Sequence, residues 1–248
     1  MDPAHESPRY PGAASGSRRH DRTCRRTGTI PDVSTAKPYR SKRLVDLAVL
    51  AMVAVPALTL GVLCSIAVGC TSPGPVFFRQ ERIGRAGRPF RVWKFRTMVA
   101  GENPIIPDAT RITRVGGVLR RYSLDELPQL LNVAVGEMSI VGPRPTLAYQ
   151  VERYDDHQRR RLQVRPGLTG LAQVNGRNAL SWGDRIDFDV EYVETQGPAL
   201  DLRLIARTAR AVLGGEGVEG HAADDPIASV AMPAGTDAAV TDGSGVAG

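Results

Sequence analysis

From Leu47 to Cys70 the chain carries no charged residue and is built mostly from Leu, Val, Ala and Ile, a run long enough to cross a bilayer as a helix. Pro56 lies inside it, and a proline removes one backbone donor and clashes with the preceding turn, which predicts a break or kink near Val55-Pro56. Arg40, Lys42 and Arg43 precede the run, while Arg79, Arg82, Arg85, Arg88 and Arg91 follow it. A single crossing would carry one basic flank out of the cytoplasm, against the positive-inside tendency. A re-entrant segment that turns at Pro56 and returns to the same face removes the conflict, provided protein or water satisfies the freed backbone groups. Residues 39–71 are therefore read as a re-entrant membrane helix with Lys42, Arg43, Asp46 and Pro56 as its marker residues, a straight span being the competing arrangement. Asp46 is costly in lipid and is expected at the interface beside Lys42 or Arg43. Ala67-Val68-Gly69-Cys70 faintly resembles a lipoprotein signal, but the run is longer than a signal core, contains Pro56 and is followed by arginines.

Outside this run the composition divides the chain of 248 residues. Residues 1–38 mix Arg, Ser, Gly, Pro and His with little apolar content and read as a disordered basic tail; residues 216–248 read as a second disordered tail. One catalytic body over residues 72–215 remains. The net charge of +6 is compatible with nucleic acid, anionic lipid or phosphorylated substrates and does not choose among them. Cys24, Cys64 and Cys70 lack metal or redox spacing, and only His157 falls in the body, which disfavours histidine-based catalysis and a histidine-rich metal cluster.

Within the body, Val76–Gln80 and Phe90–Phe95 are β-prone runs around Gly84, Gly87 and Pro89, a hairpin pattern. Asn103–Asp108 reads as a loop and Thr113–Tyr122 as a short helix despite Gly116-Gly117. Leu147–Leu162 has helical character and ends in Arg159-Arg160-Arg161, read as a solvated helix end. Pro166–Gly170 and Asn175-Gly176 read as turns. Leu202, Ile205, Ala209 and Val212 share one helical face and Arg203, Arg207 and Arg210 another, a basic amphipathic helix for the body or the membrane surface. The expected fold is mixed α/β and helix-rich: the re-entrant helix, a compact catalytic domain with a small β-hairpin, and interfacial amphipathic helices.

The chemistry concentrates at Asp125 and Glu126. Ser123 followed by Glu126 is a capping-box pattern, placing both acids in a first helical turn where free N–H groups favour phosphate. Arg120 and Arg144 add permanent positive charge, Arg144 between Pro143 and Pro145, each of which stiffens the backbone beside it. A carboxylate among arginines is expected to stay ionised and able to attack phosphorus. The bland reading of an Asp-Glu pair in a first turn is a favourable charge against the helix dipole.

These residues resemble the monotopic phosphoglycosyl transferases, or bacterial sugar transferases. The likeness begins at Lys42-Arg43-x-x-Asp46 and runs through Ser72-Pro73-Gly74-Pro75-Val76-Phe77-Phe78-Arg79-Gln80, Lys94-Phe95-Arg96-Thr97-Met98, Ser123-Leu124-Asp125-Glu126-Leu127-Pro128 and Gly142-Pro143-Arg144-Pro145. It ends with Pro166-Gly167-Leu168-Thr169-Gly170, Gln173-Val174-Asn175-Gly176-Arg177-Asn178 and Asp189-x-x-Tyr192, so that it covers roughly residues 40–215 in the compact form of the family.

The resemblance implies transfer of a sugar-1-phosphate from a nucleoside diphosphate sugar, with UDP as the expected nucleotide, to polyprenyl (undecaprenyl) phosphate, the first membrane step of exopolysaccharide or other glycoconjugate assembly. Asp125 would be the nucleophile, carrying a covalent phosphosugar, and Glu126 a general base or metal-side partner. Mg²⁺ between Asp125 and Glu126 is the expected cofactor, since it is hard, oxygen-seeking and shared between carboxylates and phosphates. Arg120, Arg144, Lys94 and Arg96 are the candidate phosphate contacts. Arg177, Asp189 and Tyr192 are the candidate nucleotide contacts, a buried Tyr–Asp hydrogen bond being the other reading of the last two. The expected partners are membrane lipid and downstream glycosyltransferases, at the bacterial inner membrane with the catalytic domain on its cytoplasmic face. Nucleic acid is not an expected partner, because no zinc finger, RNA-recognition aromatic pair or phosphate loop is present. A glycosyltransferase moving sugar without phosphate, and a non-catalytic basic membrane-anchored interaction protein, are the competing functions.

Overall fold

The computed structural model describes residues 37–99, 111–176 and 180–214. Nearly all of both expected tails, the loop at Asn103–Asp108 and Arg177 lie outside the described residues. Helix α1 (Lys42–Thr71) takes in the whole uncharged run, and Pro56 does not interrupt it. The chain thus stays helical through Pro56 in place of the expected outright break. Pro56 is exposed, and it withholds the one donor that would have reached the Met52 carbonyl. Thr59 Oγ1, one turn on, donates to the Val55 carbonyl at 3.1 Å. The helix is long and apolar enough to cross a membrane, and Met52, Val55, Leu58 and Leu63 along its middle are exposed. Both ends pack on the body: Lys42 and Asp46 are buried near the first turn, Cys64 and Val68 near the last.

Strands β1 (Phe77–Ile83) and β2 (Pro89–Phe95) form the expected antiparallel hairpin, Phe77 opposite Phe95 and Ile83 opposite Pro89. A 3-10 turn at Arg85–Gly87 closes it. Phe95 meets Cys64, Val68 and Leu119 in a small core under the end of α1. Helix α2 (Arg114–Arg121) follows, started by Thr113, whose Oγ1 accepts from the Gly116 amide at 2.9 Å. A 3-10 helix, Leu124–Gln129, leads into α3 (Leu130–Val135), which Gly136 ends at φ 86°.

Strand β3 (Ser139–Val141) pairs in parallel with β4 (Gly167–Thr169), and α4 (Ala148–Glu152) and α5 (Asp156–Arg159) lie between them in sequence. Helices α6 (Leu171–Asn175), α7 (Trp182–Thr195) and α8 (Pro198–Leu213) complete the described chain. The main core joins Phe90 and Val92 of β2, Ile140 and Val141 of β3, Tyr192 of α7 and Leu204 of α8. Each such apolar side chain contributes roughly 1.5–3 kcal/mol on burial.

Three expectations change here. Pro166–Gly170 is a buried strand with its flanks, because Gly142, Gly167 and Gly170 let two backbones approach where a Cβ would collide. Leu147–Leu162 is divided into α4, α5 and a 3-10 turn, Arg160–Gln163, with Asp155 capping the Gln158 amide at 2.8 Å. Arg161 at its end is buried, whereas Arg160 reaches out to Glu194. The inward face of α8 runs through Asp201, Leu204 and Thr208 while Leu202 and Ala209 are exposed, a shift of phase set by the buried partners of Asp201.

Candidate active site

Ser123, at φ 54° and ψ 22°, is a left-handed residue between α2 and the 3-10 helix that carries Asp125 and Glu126. In that conformation its side chain makes no cap, so the expected capping box is absent; the acids nevertheless sit in the first turn. The side chain of Glu126 turns instead to cations on two other elements. Its Oε1 accepts from Lys94 Nζ of β2 at 2.7 Å and from Arg144 Nη2 at 2.6 Å, and Oε2 lies 3.4 Å from Arg144 Nη1. Arg144 stands on the Gly142–Pro145 segment that leaves β3, so the hairpin, the 3-10 helix and the β3 exit converge on one carboxylate.

Electrostatics separates the two acids. Burial acts to raise Glu126, but Arg144 and Lys94 outweigh it and hold the carboxyl well below the usual carboxylate range. Asp125 is pushed up to about 6, by burial first and by the charge of Glu126, against the opposing pull of Lys94, Arg144 and Arg120. The carboxylate kept ionised by its cations is therefore Glu126; Asp125 ionises fully only above about pH 6. No described side chain hydrogen-bonds Asp125. Arg120, half-buried at the end of α2, acts on Asp125 through its charge.

The remaining expected site residues divide by position. Arg96 donates to the carbonyls of Pro73 and Ser72 at 2.6 and 2.5 Å, clasping the end of α1 to β2, and a Cβ on Gly74, at φ 113°, would collide with its guanidinium. Asp189 and Tyr192 lie on the buried face of α7 and do not bond each other. Asp189 pairs with Arg161; Tyr192 Oη is 2.9 Å from Asp201 Oδ1 and 3.1 Å from the Val141 carbonyl. Burial pushes the Asp189 carboxyl up against the opposing pull of Arg161.

The residues before the apolar run anchor α1. Lys42 Nζ reaches Asp201 Oδ2 at 2.6 Å and the Val141 carbonyl at 2.9 Å, with Asp46 at 3.7 Å as expected. Asp46 accepts from Ser139 Oγ at 2.8 Å and the Ile140 amide at 2.9 Å. Arg43 caps α3 through the carbonyls of Val133 and Ala134 at 2.6 and 2.7 Å. Sequence reasoning missed Asp201, which also accepts from Tyr39 at 2.6 Å, and Arg161. The available signals were an acid in phase with Leu204 and one arginine among three that had to face inward.

Among the described residues no three acidic, histidine or cysteine side chains gather as a metal cage. Glu126 is engaged by two cations, which leaves the Asp125 carboxylate as the free oxygen ligand. A cation that takes one or two carboxylates and completes its shell with waters and substrate phosphate fits that donor set, and Mg²⁺ is such an ion.

Fold and site together set an acidic pair among fixed cations beside a long apolar helix. The family model described as bacterial sugar transferase matches residues 38–215. The chain is 44% identical over 182 residues to "Uncharacterized sugar transferase EpsL" of Bacillus subtilis (strain 168), covering 72% of this chain and 90% of that protein. It is 41% identical over 194 residues to "Exopolysaccharide production protein ExoY" of Sinorhizobium fredii (strain NBRC 101917 / NGR234), over 69% of this chain and 85% of that one. It is 39% identical over 208 residues to "UDP-glucose:undecaprenyl-phosphate glucose-1-phosphate transferase" of Caulobacter vibrioides (strain ATCC 19089 / CIP 103742 / CB 15), over 77% and 75% of the two chains. The chain belongs to the bacterial sugar transferase family.

Proposed function

We propose that this enzyme transfers a sugar-1-phosphate from a UDP-sugar to undecaprenyl phosphate through a phosphosugar held on Asp125. The observation that carries this reading is the division of labour in the acid pair: Glu126 neutralises Lys94 and Arg144 at rest, while Asp125 beside it has no described hydrogen-bond partner. An incoming diphosphate competes with Glu126 for both cations. Arg144 offers a planar fork to its oxygens and Lys94 a point charge.

Asp125 Oδ attacks the β-phosphorus, the bond from that phosphorus to the bridging oxygen breaks, and UMP leaves with the electron pair. An oxygen of undecaprenyl phosphate then attacks the same phosphorus, which frees the Asp125 carboxylate and forms the undecaprenyl diphosphate sugar. Arg120, Arg144 and Lys94 stabilise charge on the phosphoryl oxygens in both steps. Mg²⁺, held by Asp125 and substrate phosphate, would supply further neutralisation of the diphosphate. The relatives named above support UDP-glucose as donor and exopolysaccharide production as the setting; later glycosyltransferases would consume the product.

For α1 we favour re-entry from the cytoplasmic face of the inner membrane, with the helix axis bending at Pro56 while its hydrogen bonding continues. Both ends of the helix dock on the same body, through Lys42 and Asp46 at one end and Cys64 and Val68 at the other, while its exposed apolar middle supports burial in one leaflet. The deciding assay incubates the purified enzyme with UDP-glucose, Mg²⁺ and undecaprenyl phosphate and identifies the nucleotide released. UMP with a lipid-linked diphosphate sugar is the expected outcome; UDP with a lipid monophosphate sugar would replace this reading by plain glycosyl transfer.

A further inference from the structure

Four consecutive carbonyls around Arg144 are each held. The Gly167 amide donates to Pro143 at 2.9 Å, Arg161 Nη2 to Arg144 at 3.0 Å, Arg82 Nη1 to Pro145 at 3.4 Å, and the Ile83 amide to Thr146 at 2.8 Å. Two of the donors are backbone groups and two are arginine side chains. Arg82 is half-buried and also donates to Gln80 Oε1 at 2.6 Å. Arg161 is buried, and its fork is fixed from behind: Nη1 donates to Tyr154 Oη at 2.7 Å, and Nη2 also meets the Asp189 carboxylate of α7.

Removing two charges from water offsets much of their mutual attraction, so a buried pair of this kind is a poor device for stability alone. Here it is poorer still, because Arg161 Nε and Asp189 Oδ1 are buried without a partner. What the arrangement supplies is direction. A planar guanidinium clamped by a carboxylate and a phenol points the second hydrogen of Nη2 along one line, and that line ends on the carbonyl of Arg144. Prolines on both sides of Arg144 stiffen the backbone there, so fixing this carbonyl limits where the Arg144 side chain can start.

We propose that Arg161, oriented by Tyr154 and Asp189, is a positioning residue for sugar-phosphate transfer, holding the Arg144 backbone so that its guanidinium meets the donor diphosphate. The inference rests on the phosphate role of Arg144 given above. It assigns Asp189 to this buttress in place of the nucleotide contact that the sequence motif implied.

The test is a double-mutant cycle of Tyr154→Phe and Arg144→Ala on the full chain in nanodiscs, reading kcat/KM for UDP-glucose by UMP release, with melting temperature measured in parallel. Tyr154→Phe removes one acceptor at nearly constant volume and is expected to lower kcat/KM about 3- to 10-fold, chiefly through KM, and to have no further effect once Arg144 is Ala. Arg161→Lys, which keeps the charge and loses the fork, is expected to match or exceed that loss. Equal effects of Tyr154→Phe in both backgrounds overturn the proposal while leaving the function standing. If Arg144→Ala itself leaves kcat/KM unchanged, its phosphate role falls and the proposal falls with it. A wild-type enzyme that releases no UMP removes both.

Discussion

Lys42 and Asp201 stand 159 residues apart in the chain and 2.6 Å apart in the core, both side chains buried. The contact joins the first turn of α1 to the first turn of α8, and the Val141 carbonyl, Tyr39 and Tyr192 complete it. The apolar helix is thus bolted to the catalytic body by polar groups at the point where it leaves it. Removing one partner strands the other without a counter-charge, so Asp201→Ala or Lys42→Met should cost about 3–5 kcal/mol. Tyr39→Phe, which removes one of several donors, should cost about 1 kcal/mol. Thermal unfolding in nanodiscs measures all three; equal losses for Tyr39→Phe and Asp201→Ala would mean that the charge pair is not the fastener.

Replacing Asp125 with Asn separates the chemistry from the fold. If the carboxylate is the nucleophile, UMP release from UDP-glucose should fall roughly 10⁴-fold or more, and mass spectrometry of quenched enzyme should lose the phosphosugar adduct. Stability should move the other way. The Asp125 carboxyl is raised on folding from 3.8 to about 6, so what it contributes is fully present below pH 3.8 and lost as pH rises through about 6. Asp125→Asn escapes that loss and should melt above wild type at pH 8, the gap closing on approach to pH 3.8. A lower melting temperature for the variant at pH 8 would contradict the burial argument.

Local patterns carried the parts of this protein that the sequence made legible. The uncharged run, the hairpin around Gly84 and Gly87, the helix over Thr113–Tyr122 and the placing of Asp125 and Glu126 in a first turn each follow from sequence patterns that are local in the chain. What stayed hidden depends on distant contacts. Arg159, Arg160 and Arg161 look alike in sequence, and only Asp189 and Tyr154 make the last of them internal. Pro166–Gly170 has turn composition, yet its glycines serve close approach to Gly142 in a parallel pair. Asp201 reads as a polar position on an amphipathic helix until Tyr39, Lys42 and Tyr192 close around it. The capping box failed because Lys94 and Arg144 attract Glu126 more strongly than a backbone amide does.

The first half-reaction should have an acid limb set by Asp125, its rate falling about tenfold per pH unit below pH 6. Glu126 raises Asp125 by like charge and also occupies the two cations that would lower it. Glu126→Gln removes the charge and releases Lys94 and Arg144 toward Asp125, so the limb should move to lower pH even as the plateau rate drops. Rapid-quench measurement of UMP formation across pH 4.5–8 would check this; a limb that stays in place or rises would mean that another group sets it.

Adjacent glycines in α2 should respond in opposite directions to the same substitution. A Cβ on Gly116 would run into the carbonyl oxygen of Thr97, the acceptor for the Thr113 amide at 3.0 Å where the helix begins. A Cβ on Gly117 meets nothing nearer than Ile112 Cγ2 at 4.0 Å. Gly117→Ala therefore keeps the packing and gains helix propensity, about 1 kcal/mol. Gly116→Ala must push backbone apart and should cost about 1–3 kcal/mol, more than the propensity gain returns. Because the last turn of α2 carries Arg120, the loss at position 116 should also lower transfer activity, whereas the variant at 117 should keep it. Melting temperatures and UMP release for the two variants, measured together, decide the matter: parallel shifts would mean that α2 does not lie against Thr97 as described.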